Sequence, residues 1–214
     1  MTLIKDTLKQ NKRLYRISKI IRDLSEEMQV PAFLVGGCVR DLLLEPETHS
    51  VDIDIMVEGD GIKFANQLGK KLKVSTVVPF PKFATARIPY NECEIEVASA
   101  RLESYDPKSR NPKDIIMTDI NEDLQRRDFT VNAMAISLQK DNMGMLIDPF
   151  DGLKDLSAKI LRTPMSDSDV TFADDPLRMM RAAYFSAKLE MEIDEKSLQS
   201  IKNNAERISI VSQE

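Results

Sequence analysis

FLVGGCVRDLLLEPETHSVDIDIMV, residues 33–57, decides how the chain is read. Phe33, Leu34 and Val35 form a short apolar run of the kind that buried strands carry. Gly36 and Gly37 follow, and paired glycines permit a sharp turn and a close approach of backbone to a ligand. Residues 38–44 have helical apolar spacing, with Arg40 and Asp41 near the start. A glycine turn opening onto a helix leaves backbone N–H groups pointing outward, where phosphate oxygens are well received. Residues 51–55, Val-Asp-Ile-Asp-Ile, alternate strictly. Asp52 and Asp54 therefore share one face of a strand, and Ile53 and Ile55 the other. Carboxylates at that spacing suit hard divalent cations, which take oxygen ligands and keep positions open for phosphate. Each half alone has a plain structural reading, a turn before a helix and a solvated strand face. In succession they point to nucleotidyl transfer.

Upstream, Leu3, Ile4, Leu8, Leu14, Ile17, Ile20, Ile21 and Leu24 give a helical pattern that ends before Pro31, a helix packed on a sheet. Downstream, residues 62–72 read as an amphipathic helix. Residues 73–78, 83–88 and 93–98 read as three strands, the last two joined by a turn at residues 89–92. Glu94 and Glu96 alternate with Ile95 and Val97, so either carboxylate is available beside the aspartate pair. Residues 101–117 are polar, contain proline and lack apolar periodicity, which reads as a long mobile loop.

The remaining motifs lie further along. Residues 119–124 read as an acidic helical turn leading into RRDFTVNAMA, residues 126–135. There Arg127 has the fork geometry for a triphosphate or a ribose, Asp128 is suited to holding that arginine, and Asn132 to bonding sugar or backbone. Residues 145–147 read as a strand, and DPFDGLKDL, residues 148–156, as a turn and capped helix with an architectural role. Asp174 or Asp175 caps a further helix, with Pro176 in its first turn. Asp175, Arg178 and Arg181 are three apart and line one side of it.

LVGGCVRDLLL followed by DIDIMV resembles the first motif of the tRNA nucleotidyltransferase/poly(A) polymerase family, the class II branch of the polymerase-beta-like nucleotidyltransferases. RRDFTVNAMA is similar to its second motif, DPFDGLKDL to its third, and Asp174-Asp175-Pro176-Leu177-Arg178 to its fourth. The resemblance runs from about Leu14 onward and covers the front part of the family's length. It implies an α+β fold: a polymerase-beta-like head with a mixed or antiparallel sheet and flanking helices, followed by an all-α neck segment. The corresponding division is an N-terminal helical segment at 1–30, a catalytic head at 31–163 and the start of a neck at 164–214, with the family's body and tail not following.

The resemblance also implies the chemistry. CMP, AMP or both would pass from CTP and ATP to the 3′ end of an RNA, tRNA above all, with Mg2+ as cofactor. Asp52 and Asp54 would be the catalytic, metal-holding carboxylates, with Glu96, Asp128 and Asn132 in support. Gly36, Gly37, Arg40 and Arg127 would hold triphosphate or sugar. Asp175, Arg178 and Arg181 would serve the base and the neighbouring phosphate, the fourth motif acting as a protein template. A carboxylate accepts from the exocyclic amine that cytosine and adenine share, while an arginine donates to the adjacent ring nitrogen. Two positions depart from the pattern: Asp174 stands where a glutamate is usual, and Tyr184 where another arginine is common. The family's segment over residues 101–117 is a flexible loop.

Composition sets outer limits. Hydrophobic residues make up 42% and charged residues 30%, as in ordinary globular chains. No apolar run reaches the roughly 18 residues of a membrane span, and the N-terminus is too polar for a secretory signal. Cys38 and Cys93 make neither a disulfide framework nor a metal site with neighbours, so a cytoplasmic location is expected. The net charge of −5 argues against gripping nucleic acid by overall charge. Complete CCA addition, A-only addition, CC-only addition and poly(A) synthesis share these motifs. A nucleotide-binding module without turnover stands beside them as a different class. A small-molecule nucleotidyltransferase of the antibiotic-modifying kind would share the carboxylates but not RRDFTVNAMA or the Asp-x-x-Arg helix.

Overall fold

A computed structural model describes residues 2–47, 52–105 and 112–211. In chain order the first elements are β1 (Thr2–Leu3), α1 (Lys5–Gln10), α2 (Lys12–Met28), β2 (Ala32–Val35), α3 (Gly37–Leu44), β3 (Ile53–Val57) and α4 (Gly61–Leu72). Then come β4 (Val78–Phe80), β5 (Thr85–Tyr90), β6 (Cys93–Ser99), β7 (Arg101–Tyr105), β8 (Pro112–Met117), α5 (Ile120–Gln125), β9 (Ala135–Ser137) and β10 (Met145–Ile147). The chain closes with α6 (Gly152–Ala158), β11 (Ile160–Leu161), α7 (Ser168–Asp174), α8 (Leu177–Leu189), β12 (Glu192–Ile193) and α9 (Glu195–Asn204). The fold is α+β with a mixed sheet and flanking helices, as the sequence leads one to expect. Among the described residues, no helix is long and apolar enough to cross a membrane.

The chain divides into two units, one of residues 1–100, 117–120 and 134–147, the other of residues 101–116, 121–133 and 148–214. The first is built on an eight-stranded sheet, ordered β1-β10-β9-β2-β3-β6-β5-β4 among the described residues. Within it only the β3–β6 pair is parallel; every other neighbour runs antiparallel. β2 is buried throughout, which is why it reads as an unbroken apolar run. Leu14, Ile17, Ile21 and Leu24 form the buried stripe of α2 at helical spacing. Each such side chain contributes roughly 1.5–3 kcal/mol when buried. The helical pattern before Pro31 is broken at Asn11, whose Oδ1 accepts from the Leu14 N–H at 3.0 Å and starts α2.

Three local readings need correction here. The strand expected at 73–78 begins only at Val78, because Lys73 closes α4 in a left-handed conformation (φ 59°) with its N–H on the Lys70 carbonyl. The turn expected over 89–92 shrinks to Asn91 and Glu92. β5 continues through Pro89 and Tyr90, Tyr90 lies opposite Cys93, and Asn91 takes the positive φ of a tight hairpin. Of the loop expected over 101–117, residues 101–105 and 112–117 are strands, β7 and β8, which form a two-stranded sheet of their own, and residues 106–111 lie outside the described residues.

The second unit is mainly helical, with β11 and β12 paired in parallel as a short clasp. Its C-terminal part, from α7 on, is helical apart from β12. The Asp148 carboxylate accepts from the Gly152 and Leu153 N–H groups at 2.6 and 2.9 Å, so the third motif is a turn that caps α6. Thr130 donates its hydroxyl to buried Asp155 of α6 at 2.7 Å, fastening the second motif's turn to that helix.

Candidate active site

In the first unit the site grows from the end of β2. Gly36 turns the chain at φ 69°, ψ −135°, a conformation that only glycine adopts without strain. Its carbonyl accepts from the Val39 and Arg40 N–H groups and starts α3. Gly37 is a different case. A Cβ placed there would lie 3.6 Å from Arg40 Nη2 and 4.0 Å from Asp54 Oδ2, ordinary van der Waals distances with no clash. Gly36 therefore serves the backbone, while Gly37 leaves backbone without a side chain within reach of a guanidinium and a carboxylate.

Arg40 is buried and its Nη2 lies 2.7 Å from Asp41 Oδ1, so a neighbour on its own helix aims it. Beneath the turn, the Cys38 thiol donates to the Val35 carbonyl at 3.1 Å and leans on that of Asp54 at 3.7 Å. Burial, with Asp54 adding to it, pushes that thiol up to about 12. It stays protonated and ties β2, α3 and β3 together. The alternation predicted for β3 holds: Ile53 and Ile55 are buried, Asp54 is half-buried and Asp52, just before the strand, is exposed. Val51 lies outside the described residues. Asp52 Oδ1 accepts from the Glu94 N–H at 3.0 Å.

Glu96 lies beside Asp54 in register across the parallel β3–β6 pair. Its carboxylate is ion-paired with Arg87 of β5 at 3.0 Å, and Arg87 also reaches Glu94 at 3.4 Å. Among the described residues, no group of three or more His, Cys, Asp or Glu side chains is arranged to hold a metal ion. The donor set that these residues offer a cation is the Asp52–Asp54 pair.

In the second unit the partners differ from those expected. Arg127 is held by Asp123 (Nε to Oδ2, 3.2 Å) and not by Asp128, and its Nη1 also donates to the Asn132 carbonyl at 3.4 Å. Successive side chains diverge, while a residue four positions back on a helix lies on the same side. Asp128 is instead shared by Asn132 (3.1 Å) and by Arg181 of α8 (2.7 Å). The second and fourth motifs therefore meet through Asp128, with the Arg181 guanidinium 4.9 Å above the Phe185 ring.

Asp123, absent from the sequence-based site, is wholly buried and accepts from the Arg101 N–H, from Arg126 and from Arg127. Arg126 also bridges Glu103 at 2.9 Å, and Glu103 pairs with Arg101 at 2.7 Å. Burial would raise the Glu103 carboxyl, but Arg126, the Tyr105 hydroxyl and Arg101 outweigh it and hold it below its ordinary value. The signal for Asp123 is its position, three and four residues before an arginine pair.

Asp175 caps α8, its Oδ1 accepting from the Leu177 N–H at 3.0 Å. Arg178 is buried, with Nη1 donating to the Thr171 carbonyl at 3.3 Å. Asp174 ends α7 half-buried, and burial raises its carboxyl against the pull of Arg178 and Arg207. Tyr184 is exposed and packs edge-on against Phe185.

Comparison with known proteins follows the same lines. Residues 32–162 match the family model described as the Poly A polymerase head domain. An A-adding tRNA nucleotidyltransferase of Aquifex aeolicus is 40% identical over 171 residues, 80% of this chain and 20% of that protein. A CCA-adding enzyme of Lactobacillus delbrueckii subsp. bulgaricus is 38% identical over 192 residues, 88% of this chain and 45% of that protein. A solved CCA-adding enzyme in apo form II superposes with a TM-score of 0.83 at 33% identity, over 97% of this chain and 49% of its own. A tRNA nucleotidyltransferase complexed with a primer tRNA and an incoming ATP analog does so with a TM-score of 0.73 at 36% identity, over 87% and 50%. The chain thus spans between 20% and 50% of the length of these proteins.

Proposed function

Because the chain belongs to the Poly A polymerase head domain family, we infer that it is a nucleotidyltransferase acting on the 3′ end of RNA, tRNA in the first place, with CTP, ATP or both as donors. The observation that carries this reading is bare glycine backbone at Gly37 with Arg40 Nη2 and Asp54 Oδ2 both within 4.0 Å of where its side chain would begin. A substrate that brings phosphate oxygens next to a cation fits between those two charges. The all-oxygen Asp52–Asp54 pair suits magnesium, which is commonly held by one or two protein carboxylates with phosphates and waters completing its shell. Bound there, the ion would neutralise charge on the triphosphate.

The chain's own groups would do the rest. The turn at Gly36 and Gly37 brings backbone close to the triphosphate, and Arg40, aimed by Asp41, donates to it. Arg127, fixed by Asp123, is assigned to phosphate or sugar. Asp175, Arg178 and Arg181 are assigned to the base and its neighbouring phosphate, with Asp128 and Asn132 setting Arg181. Glu96 is assigned to orienting Arg87 and to the charge balance beside Asp54.

Extension assays test this reading. The chain is given Mg2+ and tRNAs ending before the CCA, after its first C and after its second, with each nucleotide offered singly. Addition of C and then A marks complete CCA addition, while addition only to the CC end marks an A-adding enzyme. Runs of A on any RNA mark a poly(A) polymerase. Binding of CTP or ATP with no extension of any primer would overturn the enzymatic reading in favour of a nucleotide-binding module.

A further inference from the structure

Residues 5–22 carry seven lysines and arginines and a single carboxylate, Asp6, in a chain whose net charge is −5. Five of them lie on α2, whose inward stripe is apolar, so they fall on its other faces: Lys12, Arg16 and Lys19 are exposed and Arg13 and Arg22 are half-buried. Two of them meet the β5–β6 hairpin tip. Arg13 Nη2 donates to the Tyr90 carbonyl at 3.3 Å, and Arg16 Nη2 to the Tyr90 hydroxyl at 3.4 Å. Between helix and hairpin lies a cleft of about 510 Å³ lined by Lys12, Arg13, Arg16, Asn91 and Glu92. Three cations in that lining face one carboxylate, Glu92.

The cleft adjoins the carboxylate strand. The Cys93 thiol donates to the same Tyr90 carbonyl at 3.2 Å, and the next residue, Glu94, gives its N–H to Asp52 at 3.0 Å. Clustered cations beside an aromatic ring are the footprint of nucleic-acid phosphates.

We propose that this cleft takes the backbone of the RNA acceptor strand, with Lys12, Arg13 and Arg16 on phosphates upstream of the 3′ end that is presented to Asp52 and Asp54. The proposal rests on the RNA-extending function inferred above. The anion is a phosphodiester, and the alternative source of the same chemistry is the triphosphate of a free nucleotide.

The test measures binding, which needs no turnover. Fluorescence anisotropy with labelled tRNA lacking its terminal A gives the affinity of the wild-type chain and of the Lys12→Glu/Arg16→Glu variant across a salt series. Calorimetry gives CTP affinity for both. Both substitutions lie at exposed positions, and circular dichroism checks the fold. The expected result is an RNA affinity lower by at least about tenfold, with CTP affinity unchanged. The salt slope should shrink by roughly 0.7–0.9 for each phosphate that is no longer neutralised. Lys12→Gln/Arg16→Gln shows a smaller loss in the same direction. An RNA affinity and salt slope equal to wild type, no RNA binding by the wild-type chain, or a loss confined to CTP would each overturn the proposal. If the variant loses RNA while the wild-type chain binds but never extends it, the cleft stands and the enzymatic reading falls. If RNA affinity is unchanged and extension is intact, the reverse holds.

Discussion

The glycine turn with its aspartate strand and the Arg126–Asp128 segment with α8 are built from the same residue types, put to opposite use. In the first, Asp52 is exposed, Asp54 half-buried, and glycine backbone stands where side chains would otherwise fill space. In the second, Asp123 is 0% and Asp128 7% exposed, and both are saturated by arginines and amides from their own unit. The Asp52–Asp54 carboxylates stay near solvent and cost the fold little, whereas the Asp123 and Asp128 carboxylates are buried and must find partners inside the protein. Loss of an aspartate in the first region is therefore expected to cost chemistry, and loss of Asp123 or Asp128 in the second, folding.

The widest separation between the two comes from Asp123→Ala. Removing it takes a wholly buried carboxylate from two half-buried arginines, leaves Arg127 without its ion-pair partner and Arg126 with Glu103 alone, and breaking one side of a buried ion pair typically costs about 3–5 kcal/mol. Urea denaturation followed by circular dichroism measures this. A loss below about 1 kcal/mol would erase the contrast, because Asp123 would then be no more structural than a surface charge.

Asp54→Ala is the counterpart. Addition of nucleotide to tRNA by this chain should fall at least about a hundredfold, roughly 2.7 kcal/mol in barrier, while stability moves by no more than about 0.5 kcal/mol, as at a typical surface position. Retention of activity within about tenfold of wild type would remove Asp54 from the chemistry. A large loss of stability would place it with Asp123 as a structural charge.

The two glycines divide the first region internally. Gly36→Ala forces a side chain into the φ 69°, ψ −135° conformation and should cost about 1–3 kcal/mol of stability. Gly37→Ala meets nothing closer than 3.6 Å and should fold as wild type, but its methyl occupies the space between Arg40 and Asp54. KM for the donor nucleotide should rise about tenfold, roughly 1.4 kcal/mol. If Gly37→Ala destabilised the chain as Gly36→Ala does, the two glycines would share a single backbone role.

The same contrast governs what can be read from the sequence. β2, the glycine turn and the Asp52–Asp54 alternation are legible because each is a local pattern whose period alone sets its direction. β7 is not, because its alternation is inverted: Arg101, Glu103 and Tyr105 turn inward, and Leu102 and Ser104 outward. A search for apolar periodicity sees only a polar loop there. The partner of Arg127 escapes for a related reason, since chain neighbours suggest Asp128 while helix geometry delivers Asp123. Lys73 reads as strand because nothing in a lysine announces the left-handed residue that ends α4. The apolar stripe of α2 reads as a helix packed on a sheet and says nothing of its cations, and only the hairpin at Tyr90, distant in sequence, gives them a cleft.

The smallest expected effect lies where the two regions' rules collide. Asp175 is assigned to reading the base, yet it also caps α8 through the Leu177 N–H, a bond worth about 1 kcal/mol. Asp175→Ala removes both functions and cannot separate them. Asp175→Asn keeps the cap, because asparagine is as good at that position as aspartate, while its amide nitrogen brings a donor to the Watson–Crick edge. Uracil presents a carbonyl there, so the donor should welcome UTP and lose part of its preference for the amines of cytosine and adenine. Stability should stay within about 0.3 kcal/mol of wild type, and the ratio of kcat/KM for CTP over UTP should fall about tenfold, roughly 1.4 kcal/mol. Equal losses for CTP, ATP and UTP, with the ratio unchanged, would leave Asp175 as a helix cap alone. It would then belong with Asp123 and Asp128, and the base would have to be read by other groups.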